Sequence, residues 1–219
     1  HGRMALRLDH VEVLVLDEAD RMLDMGFAPD LRRILDLLPR RRQTLMFSAT
    51  MPPDLNRVAS EALHDAHRVD LAPPSRPAAG ITQAVYPVPR DLKVELLDKV
   101  LLGPGVGSVL VFTRTKHGAD RLARRLQHLG HSVAALHGDR TQGQRERALS
   151  DLRRGRIQVL VATDIASRGI DVEDISHVVN FDVPRTPEDY VHRIGRTGRV
   201  QATGDAFTLM SPEEQKDVV

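Results

Sequence analysis

The sequence predicts an α/β protein in which helices flank parallel β-sheets. Short runs of β-branched residues and leucine, such as VEVLVLD at 11–17 and TLMFSA at 44–49, suit strands that are buried on both faces. Segments with apolar residues at helical spacing alternate with such runs along the chain. This alternation is typical of crossover connections between parallel strands, whose carboxyl ends carry the ligand-binding loops.

The first part of the chain predicts a strand, helix, strand order. Its elements, in order, are a strand at 11–17, a helix at 29–38, a strand at 44–49, a helix at 54–64 and a short strand at 68–71. The segment APPSRPAAG, residues 72–80, follows. Its three prolines remove backbone donors and its small residues offer no core. We therefore predict a first domain at 1–72, a linker at 73–80 and a second domain at 81–219.

The second part repeats the alternation more regularly. Thr141 with Gln144 three residues later predicts a capping box, and Gly130 and Gly155 suit helix ends. The predicted strands are 82–88, 109–113, 132–136, 157–162, 177–181 and 205–210. The predicted helices are 92–100, 116–129, 141–155, 186–194 and a last one that starts at 211.

Composition excludes several classes of protein. The 219 residues are 41% apolar, carry 28% charged residues with a net charge of +1, and include no cysteine. A polycation, a disulfide scaffold and a thiolate metal site are therefore excluded. No apolar run approaches the roughly 20 residues that span a bilayer, and HGRMALRLDH does not resemble a signal peptide. We predict a cytoplasmic protein without membrane contact.

The string VLDEAD, residues 15–20, places carboxylates directly after the first predicted strand. Asp17 and Glu18 could hold a hydrated Mg²⁺ there and orient a water for attack on phosphorus. A solvated acidic turn is the alternative from these residues alone. The string SAT, residues 48–50, follows the second strand, and taken alone it favours a cap for the next helix.

The string YVHRIGRTGR, residues 190–199, combines two glycines with arginines at every third position. Guanidinium groups can bind phosphate oxygens in bidentate fashion. The alternative is a solvated basic face, for which glycines are poor choices. The string therefore favours a phosphate-binding role for Arg193, Arg196 and Arg199.

The string VLVATDIASRGIDV, residues 159–172, places polar residues after another strand. Thr163 and Asp164 end the strand, and the loop with Gly169 and Asp171 suits phosphate and ribose contacts. Each of these residues, taken separately, also fits a helix cap or a surface turn.

The string LHGDRTQGQR, residues 136–145, surrounds a predicted helix start. Gly138 and the capping Thr141 lie where free backbone amides attract phosphate. His137 alone favours a packed histidine at the end of a strand over a ligand.

These five strings, in this order, resemble the DEAD-box RNA helicases. The segments VLVFTRTKHGA and PEDYVHRIGRTGR are most similar to the bacterial RhlE-type branch, and the resemblance covers nearly the whole chain. It implies RecA-like parallel sheets flanked by helices, with the rear part of a first domain and a complete or nearly complete second one. It also implies that two domains close on ATP and bent RNA, unwind the duplex locally, and separate after hydrolysis.

The resemblance implies roles for single residues. Asp17 and Glu18 form the implied metal site: Asp17 would hold Mg²⁺ through water, and Glu18 would orient or deprotonate the attacking water. The implied catalytic residues are Asp17, Glu18, Asp20, Ser48, Thr50, His192, Arg196 and Arg199. Of these, the last two would be arginine fingers, and the implied ATP contacts are Gly169, Asp171, Arg196 and Arg199. The implied RNA contacts, chiefly to phosphate and sugar, are Thr113, Arg114, Gly138, Asp139, Gln142, Arg145 and Thr163.

One expected string is missing from the sequence. No GxxxxGK[ST] phosphate loop occurs in the 219 residues. We therefore expect a fragment of a longer helicase that cannot hydrolyse ATP alone, with residues 1–72 poorly stable and an apolar sheet face exposed. The alternative function is a non-enzymatic module in which the second domain binds RNA or a partner. An unrelated dinucleotide enzyme would need a glycine fingerprint after its first strand, and none is present.

Overall fold

The computed structural model describes residues 7–24, 26–70, 80–167, 175–198 and 203–217. The chain divides into two compact units, which we call unit 1 (1–74) and unit 2 (75–219). No helix in the described ranges is long and apolar enough to cross a membrane.

The described residues of unit 1 form a two-stranded parallel sheet and three helices. Its elements are β1 (Val13–Leu16), α1 (Ala19–Asp24), α2 (Ala28–Leu37), β2 (Gln43–Met46) and α3 (Pro53–Ala62). Leu16 from β1 packs with Leu31 of α2 and with Leu55 and Val58 of α3. The helices therefore cover one face of the sheet.

The other face of the unit 1 sheet is apolar and exposed. In β1, Val13 and Val15 lie on the face opposite the buried Leu16, and they are 51% and 53% exposed. Leu45 pairs with Val15 in register, and Phe47 follows two residues later on the same side; both are exposed. The expectation of a bare apolar face is confirmed for the part of unit 1 that the structure describes.

Two details of unit 1 differ from the sequence prediction. α1 was not predicted, and it begins within the acidic string, at Ala19. Residues 68–70 form no strand, and residue 71 lies outside the described ranges. No described strand lies beside this segment to pair with its backbone, and the Arg68 side chain bonds to Asp70 from Nε to Oδ1 at 2.9 Å.

Unit 2 is built on a six-stranded parallel sheet in the order β3-β8-β7-β4-β6-β5. The strands are β3 (Ile81–Pro87), β4 (Ser108–Phe112), β5 (Val133–Leu136), β6 (Val159–Ala162), β7 (Ile175–Asn180) and β8 (Gly204–Met210). The helices are α4 (Lys93–Leu101), α5 (Lys116–His128), α6 (Gln142–Arg153), α7 (Asp164–Ser167), α8 (Pro187–Ile194) and the final 3₁₀ helix η1 (Pro212–Asp217). The predicted class, parallel sheets flanked by helices, is confirmed.

The central strands of unit 2 are buried on both faces. Val109 and Val111 of β4 face a cluster with α4 and α5, while Leu110 and Phe112 face a second cluster that includes α6. This two-sided burial is the reason why β4 is a continuous apolar run in the sequence.

Caps and turns in unit 2 follow the predicted chemistry. Thr141 and Gln144 form the capping box of α6 through both reciprocal hydrogen bonds. Gly130 and Gly155 have φ of 95° and 65°, a left-handed conformation in which a side chain would be strained. Gly204 lies so close to Thr197 that a Cβ atom at position 204 would overlap the threonine side chain.

Candidate functional site

The turn between β1 and α1 holds the first two carboxylates of the site. Asp17 is exposed and Glu18 is half-buried, and Asp17 Oδ1 accepts the Glu18 N–H at 2.9 Å. Glu18 has φ of 49°, a left-handed conformation that costs a non-glycine residue about 1–2 kcal/mol. Strain of this kind concentrates at functional positions.

The third carboxylate, Asp20, is buried and joins VLDEAD to SAT. Its Oδ2 accepts the Thr50 N–H at 2.9 Å and the Thr50 hydroxyl at 2.8 Å, and its own N–H donates to Ser48 Oγ at 3.2 Å. Ser48 Oγ in turn donates to the Thr50 carbonyl at 2.7 Å. Burial raises the pKa of Asp20, but the hydrogen bonds from Thr50 and Ser48 outweigh burial, so the pKa is lowered.

This arrangement corrects the interpretation of SAT as a helix cap. The N-cap of α3 is Pro52, and no side chain caps that helix. Ser48 and Thr50 are instead bonded to Asp20, 28 and 30 positions earlier in the chain. Sequence position alone could not indicate this bond, because it depends on the parallel pairing of β1 with β2.

The acidic turn has the donor set that Mg²⁺ prefers. Asp20 Oδ2 is occupied by its bonds to Thr50, which leaves Asp17 and Glu18 as the carboxylates available to a cation. Among the described residues, no group of three or more His, Cys, Asp or Glu could hold a metal ion. Two carboxylates fit Mg²⁺, which usually keeps several waters and takes its remaining ligands from phosphates.

In unit 2, the carboxyl ends of three neighbouring strands bring the predicted RNA contacts to one edge. β4, β6 and β5 lie side by side. The residues that follow these strands or begin α6 are Thr113, Arg114, Thr163, Gly138, Asp139, Gln142 and Arg145. Arg114, Gly138, Asp139 and Gln142 are exposed, whereas Thr113 and Thr163 are buried.

Several of these side chains are held by neighbours. Asp139 pairs with Lys116 Nζ at 2.8 Å, and Gln142 Nε2 donates to Glu146 at 2.9 Å. The Lys116 bond lowers the pKa of Asp139. A Cβ atom at Gly138 would meet nothing within 4 Å, so packing alone does not require glycine there. The open space leaves the backbone accessible to a ligand.

Arg193 is a residue that sequence reasoning misplaced. The string predicted a phosphate-binding guanidinium, yet the side chain is buried and bonded inside unit 2. It donates twice to Asp164, at 2.6 and 2.8 Å, and once each to Asn180 Oδ1 and the Asp182 carbonyl. The Arg193 guanidinium also lies 5.0 Å from the Phe112 ring centroid. Arg193 thus ties α8 to the ends of β4, β6 and β7.

The remaining predicted residues of YVHRIGRTGR and VLVATDIASRGIDV are only partly described. His192 lies in α8 and Arg196 follows its end, and both are half-buried. Gly169, Asp171 and Arg199 lie outside the described residues, so their predicted contacts with ATP stay predictions.

His137 is a packed residue, as the sequence favoured. It is 3% exposed, and its Nε2 lies 3.0 Å from Asp120 Oδ1, which Arg140 also contacts. Burial raises the pKa of Asp120, but the bond to His137 and the charge of Arg140 outweigh it, and the pKa is lowered. The cluster holds the loop after β5 against α5.

A second buried ion pair was not visible in the sequence. Lys93, the first residue of α4, donates from Nζ to Glu214 Oε2 at 2.5 Å and to the Phe181 carbonyl at 2.7 Å. Glu214 also accepts the N–H and hydroxyl of Ser211. The pair fixes η1 to α4 and to the loop after β7.

Comparison with known proteins defines the class of this fold. Residues 92–201 match the family described as helicase conserved C-terminal domain, and residues 2–58 match the DEAD/DEAH box helicase family. The chain therefore matches two helicase domain families, and its fold is RecA-like.

Individual relatives narrow this class. The chain is 47% identical over 212 residues to the ATP-dependent RNA helicase DeaD of Mycobacterium tuberculosis, covering 97% of this chain and 37% of that protein. It is 44% identical over 213 residues to the ATP-dependent RNA helicase CshA of Listeria monocytogenes, covering 97% and 41%. The chain belongs to the DEAD-box helicase family. It spans about two fifths of the length of these relatives.

Solved structures agree with this assignment. S. cerevisiae Dbp5 bound to RNA and ADP BeF3 is 33% identical with a TM-score of 0.83, covering 94% of this chain and 55% of that one. A DEAD box protein from Methanococcus jannaschii is 36% identical with a TM-score of 0.60, covering 97% and 57%. The RhlE-type branch within the family stays a prediction.

Proposed function

We propose that the parent protein is an ATP-dependent RNA helicase that couples ATP binding and hydrolysis to local unwinding of RNA duplexes. The observation that carries this proposal is the junction of VLDEAD with SAT, in which Asp20 is bonded to Ser48 and Thr50 beside a left-handed Glu18. A cytoplasmic location stays a prediction of the sequence.

The surroundings of the acidic residues support different roles for them. Mg²⁺, when bound, would neutralise charge on the phosphates of ATP. The exposed Asp17 would hold it through water, and Glu18 would orient or deprotonate the attacking water. Asp20 cannot share that task, because its carboxylate holds the SAT segment. Its role is to link the acidic turn to Ser48 and Thr50.

The roles in unit 2 concern ATP and RNA. Arg196 and Arg199 would stabilise charge on the transferring phosphate, and His192 would take part in closure of the two domains. RNA would bind at the edge formed by β4, β6 and β5, where backbone amides and exposed polar side chains suit phosphate and sugar contacts. Low aromatic content, 3%, fits recognition of the backbone rather than stacking of bases.

A substitution in the full-length parent protein tests the catalytic role. We expect Glu18→Gln to lower RNA-stimulated ATP turnover roughly 10²- to 10⁴-fold, because it removes a general base. The matched control is Glu12→Gln, which neutralises an exposed glutamate just before β1. ATP turnover of Glu18→Gln within tenfold of the wild type would contradict the assignment.

We also propose that these 219 residues do not hydrolyse ATP alone, since they include no loop to cradle the β and γ phosphates. Phosphate release from ATP by the purified chain, measured with RNA present, would refute this part of the proposal. An upstream reading frame that encodes a GxxxxGK[ST] loop would support the parent assignment.

A non-enzymatic module formed by unit 2 is the second candidate. It is favoured by the location of every predicted RNA contact in unit 2, which has its own hydrophobic core. RNA binding with a steep salt dependence and no response to ATP in the full-length protein would favour this module over the helicase.

A further inference from the structure

A groove of about 440 Å³ in unit 2 lies between the start of α4 and the face of α5 that runs from Gly118 to Arg125. Val94, Leu122 and Phe181 contribute its apolar lining. Thr113 and Arg114, two predicted RNA contacts, line the same groove. The carboxyl ends of β4, β6 and β5 form what we call the strand-end surface, and the groove continues this surface from β4 in the direction away from β6 and β5.

The acidic side chains of the groove are already engaged. Glu214 is neutralised by its buried pair with Lys93. Asp182 accepts the backbone N–H of Arg114 at 2.7 Å. Glu213 is exposed, and the nearby charge of Arg90 contributes to the lowering of its pKa after the larger effect of a hydrogen bond from Ser211. These three carboxylates do not pair with the remaining arginines that line the groove on α5.

Two arginines of α5 are these remaining cations. Arg121 and Arg125 are both exposed and line the groove one helical turn apart. Within the described ranges, neither side chain has an ion pair or a hydrogen bond to a carboxylate. Like charges at this spacing repel each other, so an anion between them would relieve the repulsion. Arginine binds phosphate oxygens in bidentate fashion.

We propose that this groove is an additional RNA subsite, in which Arg121 and Arg125 bind phosphates of one or two nucleotides beyond those at the strand ends. The subsite depends on the proposed RNA-binding function and extends it along the strand. RNA is favoured over an acidic protein segment because Arg114 joins the groove to the strand-end surface, and because the apolar lining suits ribose and base.

The experiment compares Arg121→Ala/Arg125→Ala with the wild-type chain by fluorescence anisotropy of labelled oligo(U) RNA of increasing length. Both side chains are exposed, and circular dichroism checks that the fold is retained. The matched control is Lys99→Ala/Arg154→Ala. It removes two exposed cations near the carboxyl ends of α4 and α6, at the opposite edge of the sheet.

We expect short RNAs to bind both variants like the wild type, and longer RNAs to lose affinity about tenfold only in Arg121→Ala/Arg125→Ala. The slope of log affinity against log salt for the long RNA should become shallower by about 0.7 if the arginines share one phosphate and by about 1.4 if they bind two, since each phosphate that is no longer neutralised changes the slope by ~0.7.

Other outcomes overturn the subsite. Unchanged affinity at every length would exclude RNA from the groove and leave an acidic protein segment as its ligand. An equal loss in the control would show that only net charge matters. Failure of the wild-type chain to bind RNA of any length would instead refute the proposed RNA-binding function itself.

Discussion

The buried pair of Lys93 and Glu214 provides a sharp test of the packing of unit 2. Lys93 is 2% exposed, and Glu214 retains 13% of its side-chain surface in solvent. Lys93→Met keeps most of the apolar stem but removes the ammonium group. The Glu214 carboxylate would then keep the N–H and hydroxyl of Ser211 and the N–H of Val183 as neutral donors. Its one remaining cationic neighbour among the described residues would be Arg114, whose Nη2 lies 3.7 Å from Oε1.

Removing one partner of a buried pair costs about 3–5 kcal/mol. Because Glu214 keeps Arg114, its neutral donors and some solvent contact, we expect the lower end, a loss of about 3 kcal/mol of unfolding free energy. In urea, with a slope of about 1–3 kcal/mol/M, the midpoint should fall by roughly 1–3 M. Tyrosine fluorescence reports this transition, since both tyrosines, Tyr86 and Tyr190, lie in unit 2 and the chain has no tryptophan.

A double-mutant cycle isolates the pair. Lys93→Met combined with Glu214→Gln should be more stable than the sum of the single changes predicts, by about 1–3 kcal/mol, because no buried charge is left unpaired. The reasoning would be refuted if Lys93→Met lost less than about 0.5 kcal/mol of unfolding free energy, or if the losses of the two single variants simply added in the double variant.

The pair also has a defined pH dependence. Burial raises the pKa of Glu214, but the hydrogen bond from Lys93 and those from Ser211 outweigh burial and lower it below the ordinary value of 4.5. A carboxyl with a lowered folded pKa stabilises the protein above that ordinary value and loses its contribution as the pH falls through the folded pKa. Lys93→Met should therefore differ most from the wild type near neutral pH, and the difference should narrow in acid.

Three smaller predictions concern single contacts. Gly204→Ala places a methyl group against Thr197 and should destabilise unit 2 by about 1–3 kcal/mol; an unchanged tyrosine-monitored urea transition would contradict the contact. Thr141→Ala removes the capping hydroxyl of α6 and should cost about 1 kcal/mol in thermal unfolding, whereas Thr141→Ser should not. Asp20→Asn should flatten the acid unfolding of unit 1 followed by circular dichroism. The Asp20 carboxylate, which is bonded to Thr50, has a lowered pKa, so it stabilises unit 1 above pH 3.8 and loses this contribution as the pH falls through its folded pKa. An identical pH profile for Asp20→Asn and the wild type would exclude this contribution.

The strands and caps of unit 2 could be predicted because their causes are local. Continuous apolar runs such as 109–112 follow from burial on both faces, and the capping box of Thr141 and Gln144 needs only residues three positions apart. The helix α1 was missed because it is only 6 residues long, too short to show a helical period. Its apolar pair Met22 and Leu23, which packs against the unit 1 core, could have indicated it.

The buried charges could not be predicted, since their partners are distant in sequence. The predicted helix at 92–100 starts with the apolar Leu92, yet Leu92 is exposed and the charged Lys93 is buried. The compensating Glu214 lies 121 positions later. Arg193 was predicted to bind phosphate for the same reason, because its partner Asp164 belongs to a different strand end. The position of the acidic turn could be predicted, since Asp17 and Glu18 are adjacent and directly follow β1, whereas their roles stay predictions.

The pairing of β3 with β8 has a consequence for how unit 2 forms. β3 is an edge strand whose described neighbour in the sheet is β8, and Ile81 at its start pairs with Gly204. During synthesis, the hydrogen bonds between β3 and β8 therefore cannot form until nearly the whole unit has left the ribosome. Contacts between such distant segments slow folding. We expect the central strands to associate first and the β3 edge to join last, which makes this edge the place where nascent chains are most exposed to chaperones and aggregation.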